Sequence, residues 1–162
     1  MKTDPPAQKA FATLRFEGDA LDPAALTDLL AVPPTLAYRK GERFTLGKRG
    51  LEKVGQTGYW FLNTKDRLGP LDLNAHVRLI ETMLTDRSAR RDGHDRFQRL
   101  RSLVDADGLS VLTTLFWFGA AGEPAPTIDP RLRNLIGDLR GEIETDFMVQ
   151  SRNPKSTAGR AA

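Results

Sequence analysis

The sequence predicts a single α+β domain: a mostly antiparallel sheet with helices packed on it, built in part from two strand–helix–strand, ferredoxin-like units. Three observations point there. Leu109–Phe118 (Leu-Ser-Val-Leu-Thr-Thr-Leu-Phe-Trp-Phe) has seven apolar residues in ten and three of the chain's twelve aromatics in a row, between Gly108 and Gly119. A β-branched and aromatic run bounded by glycines reads as a long interior strand, covered on both sides. Second, strand-type runs alternate with stretches whose apolar residues recur at helical spacing. Third, Thr13-Leu14-Arg15-Phe16-Glu17-Gly18 is followed by Asp22-Pro23 and a helix pattern, and Thr114-Leu115-Phe116-Trp117-Phe118-Gly119 by Asp129-Pro130 and another. A further strand follows each, so the unit occurs twice.

In chain order, Phe11–Glu17 is a strand with Ala12, Leu14 and Phe16 on one face. Asp22 can cap a free backbone N–H and Pro23 suits a first helical turn, so a helix with Leu26, Leu29 and Leu30 runs to Pro33-Pro34. Thr35–Lys40 is a second strand, with Leu36 and Tyr38 on the same side. Gly41–Gln56, punctuated by Gly47, Gly50 and Gly55, reads as a long mobile hairpin or loop. Thr57–Thr64 is a third strand. Leu71–Asp86 is the clearest helix, with Leu73, Val77, Ile80 and Leu84 at helical spacing and Asp72 as its cap. Asp92–Asp105 is a second amphipathic helix on Phe97, Leu100, Leu103 and Val104, with Arg96, Arg99 and Arg101 placed elsewhere. Thr127-Ile128 is a short strand or an extended lead-in to a helix with Leu132, Leu135, Ile136 and Leu139. Glu142–Val149 is the last strand, burying Ile143 and Phe147. The domain spans 10–149, between a disordered N-terminus (1–9) and a disordered C-terminal tail (150–162).

A length of 162 residues allows roughly two-thirds of the unfolded surface to be buried. There is no cysteine, which excludes disulfides, thiolate metal sites and cysteine catalysis. No apolar run approaches the ~18–20 residues of a membrane span, and the start, Met1-Lys-Thr-Asp-Pro-Pro, is polar. The expectation is a soluble cytoplasmic protein with no membrane association. Richness in Arg, Ala, Gly and Asp suggests a bacterium with a GC-rich genome. Net charge is +3, but Arg39–Lys53 and Arg87–Arg101 each carry six basic and two acidic residues, leaving the remainder at −5. Such segments attract phosphates or acidic protein surfaces.

One set of residues carries a family resemblance. Gly18-Asp19 after a strand, Leu21-Asp22-Pro23 with Leu26, Leu29 and Leu30, then Pro34-Thr35, Lys40-Gly41 and, beyond a variable basic loop, Gly58-Tyr59-Trp60 resemble the bacterial domain-of-unknown-function family numbered 4279. The helix with His76 and the segment around Asp129 are compatible, so the likeness spans Phe11–Val149. Arg87–His94, inserted between helices, is where the chain departs from the pattern. The family carries no established activity, so the resemblance implies neither catalytic residues nor a cofactor.

Chemistry-bearing patterns are few. Gly41-Glu-Arg-Phe-Thr-Leu-Gly47-Lys48-Arg49 has five residues between its glycines, where a phosphate-binding loop needs four, and Arg49 stands where that motif needs a hydroxyl for magnesium. His76 and His94 lie on separate elements, and without cysteine a zinc site would need both plus carboxylates. His76 fits a hydrogen-bonded histidine on the flank of its helix. Asp22, Asp72 and Asp129 read as caps. No residue is assigned to catalysis, to a cofactor or to a metal.

Around the basic loop, Tyr38-Arg39-Lys40 and Tyr59-Trp60-Phe61 lie on neighbouring strands. Side chains alternate along a strand, so either Trp60 or the Tyr59/Phe61 pair reaches the outer face. The candidate partner-binding residues are Arg39, Lys40, Lys48, Arg49, Lys53 and Trp60. The leading expectation is a non-catalytic module that binds a protein partner, a class that in bacteria includes toxin-neutralising immunity proteins. The alternatives are a nucleic-acid or nucleotide binder using residues 39–53 and 87–101, and an enzyme of unknown reaction.

Overall fold

Alternation along the strands decides which way each one faces. In the computed structural model, which describes residues 9–70, 72–86 and 95–151, β1 (Ala10–Gly18) buries Ala12, Leu14 and Phe16 and turns Phe11, Thr13, Arg15 and Glu17 the other way. The remaining elements are α1 (Pro23–Leu30), β2 (Leu36–Tyr38), β3 (Arg43–Leu46), β4 (Leu51–Val54), β5 (Gly58–Asn63), α2 (Leu73–Thr85), α3 (Arg96–Asp107), β6 (Ser110–Gly119), α4 (Pro130–Asp138) and β7 (Glu142–Val149). Five strands form one mixed sheet in the order β2-β5-β1-β6-β7, and β3 and β4 form a separate two-stranded ribbon. The first three ladders are antiparallel and β6–β7 is parallel. The α+β architecture expected from the sequence is therefore what the chain adopts, with β6 as the long interior strand between β1 and β7.

Each helix begins where its cap residue can accept a backbone hydrogen bond. Asp22, Asp72, Asp95 and Asp129 accept from Ala24, Ala75, Gln98 and Arg131, satisfying donors the first turn leaves free. Gly108 stops α3 in the left-handed region, which costs an L-residue more than glycine. The sheet supplies Leu14, Phe16, Trp60, Leu62, Val111 and Leu115 to the core, and the helices add Leu26, Leu30, Ile80, Leu84, Leu100, Leu132 and Ile136. All four helices bury their apolar residues in this one cluster, so the opposite face of the sheet carries no described helix.

The two strand–helix–strand units differ in topology. β1 and β2 run parallel but are separated by β5, whereas β6 and β7 run parallel side by side. The unit that interlocks with β1-α1-β2 in the ferredoxin-like manner is β5 to β6 by way of α2 and α3, straddling β1. The two Thr-Leu…Gly segments that look alike in sequence therefore occupy inequivalent places.

Of the two readings of Thr127-Ile128, the chain adopts the lead-in without a strand, and Ile128 packs on the core. Three further details depart from the sequence reading. Arg96, expected off the apolar face, is buried, because its guanidinium donates to the Met83 carbonyl at the end of α2 (3.0 Å). Lys9 and Gln150, assigned to disordered ends, are tied in: Phe118 N–H donates to Lys9 O (2.7 Å) and Gln150 N–H to Gly119 O (2.9 Å). Residues 1–8 and 152–162 of the two ends, and Arg87–His94, lie outside the described residues.

Candidate functional site

The ribbon of β3 and β4 grows out of the sheet at the corner where β2 ends and β5 begins. Its register places Phe44 opposite Lys53 and Leu46 opposite Leu51, so these four side chains share one face. Gly47–Gly50 closes it with a turn in which Gly50 N–H donates to Gly47 O, and both glycines have positive φ. Lys48 and Arg49 are thereby carried to the tip. At the base, Gly41 N–H donates to Gly55 O and Gly55 N–H to Glu42 O. A Cβ on Gly55 would stand 2.6 Å from the Tyr38 ring and 2.7 Å from Arg39 O, so only glycine lets the ribbon lie this close to β2.

What holds the ribbon on the sheet is aromatic. The Phe44 ring stacks on Tyr38 at 3.9 Å and 5°, Tyr38 on Tyr59 at 5.2 Å, and Tyr59 meets Phe61 at 6.0 Å. Tyr38, Tyr59 and Phe61 belong to the helix-free face, since Tyr59 pairs with Glu17 and Phe61 with Arg15. Burial pushes both tyrosine phenols up, although Arg15 acts on Tyr59 in the opposite direction. Further along that face Phe11 stacks on Phe116 at 4.6 Å.

The ribbon leaves apolar surface in water. Leu51 is 59% exposed, Val54 49% and Leu46 36%, three large aliphatic side chains within nine residues. Leu46 and Leu51 are adjacent on the face that carries Phe44 and Lys53, whereas Val54 lies on the opposite face; an exposed apolar pair rimmed by charge is a common mark of a contact surface.

The six candidate residues divide into three sets. Lys48, Arg49 and Lys53 are exposed on the ribbon and make no ion pair among the described residues. Arg39 and Lys40 are engaged with the β1–α1 loop: Arg39 pairs with Asp22 (2.8 Å) and Lys40 with Asp19 (2.7 Å). The Lys40 and Thr57 hydrogen bonds hold the Asp19 carboxylate below its usual range. Trp60 must be corrected, because it is 0% exposed and its face of β5 points into the core. It meets Phe16 edge-on and its indole N–H donates to Thr27 Oγ1 (3.0 Å). Its neighbours Tyr59 and Phe61 take the outer face instead.

Sequence reasoning missed Phe44, Leu46 and Leu51. The stretch reads as a hairpin or loop, but its basic charge masks the apolar residues at 44, 46 and 51 that share one face. Among the described residues, no group of three or more His, Cys, Asp or Glu side chains could hold a metal ion. His76 is fully buried, with Nδ1 2.7 Å from Thr64 Oγ1. A cleft of about 320 Å³ at the far end of the sheet includes Asp72 and Glu123, but their carboxylates already accept from Ala75 and Ala120 N–H. No described helix is long and apolar enough to cross a membrane.

No curated protein and no solved structure matches the chain. A family model does, over residues 8–150, and on that match the chain belongs to the family described as Domain of unknown function (DUF4279).

Proposed function

We propose that the protein is a binding module whose partner is another protein, gripped by the β3–β4 ribbon and the aromatic ladder beneath it. The observation that carries this reading is the exposed apolar pair Leu46 and Leu51, side by side with Lys53 on one face of the ribbon and next to Lys48 and Arg49 at its tip. Apolar centres ringed by charge suit protein recognition, where the centre supplies most of the affinity and the rim steers association.

Nucleic acid is the weaker reading. Base stacking needs free ring faces. Here Phe44 and Tyr38, and Phe11 and Phe116, cover one another. Of the basic residues, Arg39 and Lys40 are matched by aspartates and Arg96 is turned inward. Glu142, Glu144 and Asp146 share the helix-free face through their register with β6, and would repel phosphates. A bacterial, cytoplasmic setting accompanies the proposal, on the composition alone.

The test is affinity capture from the native host, with and without nuclease, using the parent and a Leu46→Ser/Leu51→Ser variant of unchanged unfolding midpoint. A nuclease-resistant protein retained by the parent and lost by the variant is the expected result. Capture abolished by nuclease would transfer the function to nucleic acid, and equal capture by both chains would move the surface away from the ribbon.

A further inference from the structure

We infer that α4 is latched to α2 by one proton shared between the carboxyl groups of Glu81 and Asp129, and that the unit α4–β7 loosens when that proton leaves. Asn74, Arg78, Glu81 and Thr85 are spaced to form one stripe along α2. Asn74 and Arg78 are exposed, but Glu81 is only 3% exposed and its Oε1 has no hydrogen-bond partner. Asp129, the cap of α4, stands against it while accepting from Arg131 N–H (2.9 Å). The contact continues to Thr85, whose hydroxyl donates to Glu81 O (2.7 Å) and accepts from the Arg131 guanidinium (3.3 Å).

A buried carboxylate facing a second, half-exposed one cannot ionise cheaply, whereas a carboxylic acid donating to a carboxylate satisfies both. Burial raises the Glu81 pKa, and the hydrogen bond and charge of Asp129 raise it further. The other charged groups acting on it are Arg131 from α4 and Arg78 from its own helix, and both oppose the shift. A folded-state pKa above the unfolded value of ~4.3 makes a contribution that is complete below that value and lost as pH rises through the folded pKa. The latch therefore holds in acid and slackens toward alkaline pH.

The slackening is local. α4 reaches the core through Leu132, Ile136 and the adjoining Leu139, and it leads to β7, which pairs only with β6 among the described residues. The protein would thus free α4, and the packing behind its edge strand, in a pH-dependent way, at the sheet edge remote from the ribbon.

Amide hydrogen exchange on α4, with α1 of the same molecule as reference, tests this at about pH 5 and about pH 8. The parent should lose protection in α4 on the order of tenfold more than in α1 across that interval, whereas Glu81→Gln should keep the ratio constant. Should Glu81→Gln not fold, Asp129→Asn keeps a capping side chain and should shrink the pH dependence. A ratio in the parent that does not change with pH would overturn the inference. So would a Glu81 side chain that titrates, by carbon-13 NMR, in the ordinary glutamate range.

Discussion

Thr64 Oγ1 lies 2.7 Å from His76 Nδ1, with both residues completely buried. The hydroxyl stands just past the end of β5, where it takes over the ladder: Ala12 N–H donates to it (2.9 Å) and it donates to Ala12 O (3.0 Å). The hydroxyl has one proton to give; with that proton on Ala12 O it accepts from the imidazole, and the tautomer expected is the one with hydrogen on Nδ1. Thr64→Val should destabilise the fold by about 1–3 kcal/mol for each buried group left unpaired. Nitrogen-15 NMR of the parent should show His76 protonated at Nδ1; a ring bare at that nitrogen would refute the network.

Leu115 tests the core. It is fully buried on β6 between β1 and β7, facing the helices. Leu115→Ala should cost ~2–5 kcal/mol in lost transfer energy and residual cavity. A denaturation midpoint equal to the parent's would show that the site is not packed as described.

Gly55 tests whether the ribbon's seat matters. A methyl there meets backbone as well as the Tyr38 ring, so the ribbon must move and not merely a side chain. Gly55→Ala should lower stability by about 1–3 kcal/mol and shift the NMR resonances of Phe44 and Tyr38, while Leu115 and its neighbours keep theirs. Unchanged shifts at Phe44 would mean that the ladder does not depend on this close approach.

Lys48 and Arg49 test the charge at the tip. Reversing both (Lys48→Glu/Arg49→Glu) should leave the unfolding stability within ~0.5 kcal/mol of the parent, since both side chains are exposed and neither is ion-paired among the described residues. Association with the captured partner should slow at low salt and lose its salt dependence. A variant that binds as fast as the parent at low salt would remove these residues from the surface.

The core was legible in the sequence because strand alternation and helical spacing are local signals. Ala12, Leu14 and Phe16 on one face, and Leu73, Val77, Ile80 and Leu84 on another, come straight from spacing. Strand order was not legible, since the placement of β5 between β1 and β2 depends on contacts between distant segments. The surface was half legible. Six basic residues marked Arg39–Lys53, but charge cannot say which of them find a carboxylate, and Asp19 and Asp22 claim two. Trp60 was ambiguous for a different reason: alternation gives two faces and cannot say which one the helices will cover. Glu81 escaped notice because its partner Asp129 is remote in sequence and already accounted for as a cap.

Lys9 and Gln150 bond to the adjacent residues Phe118 and Gly119, so the described chain enters and leaves the sheet side by side, only two strands or about 10 Å apart. The ribbon springs from the opposite end, beyond Gly18 and Gly58, about 30 Å away along the nine residues of β1. Anchoring the protein at Lys9 or Gln150, to a bead, a sensor surface or a fused neighbour, therefore points the ribbon outward. The same adjacency makes a permuted chain practicable in which a short linker joins Lys9 to Gln150 and new ends are cut elsewhere.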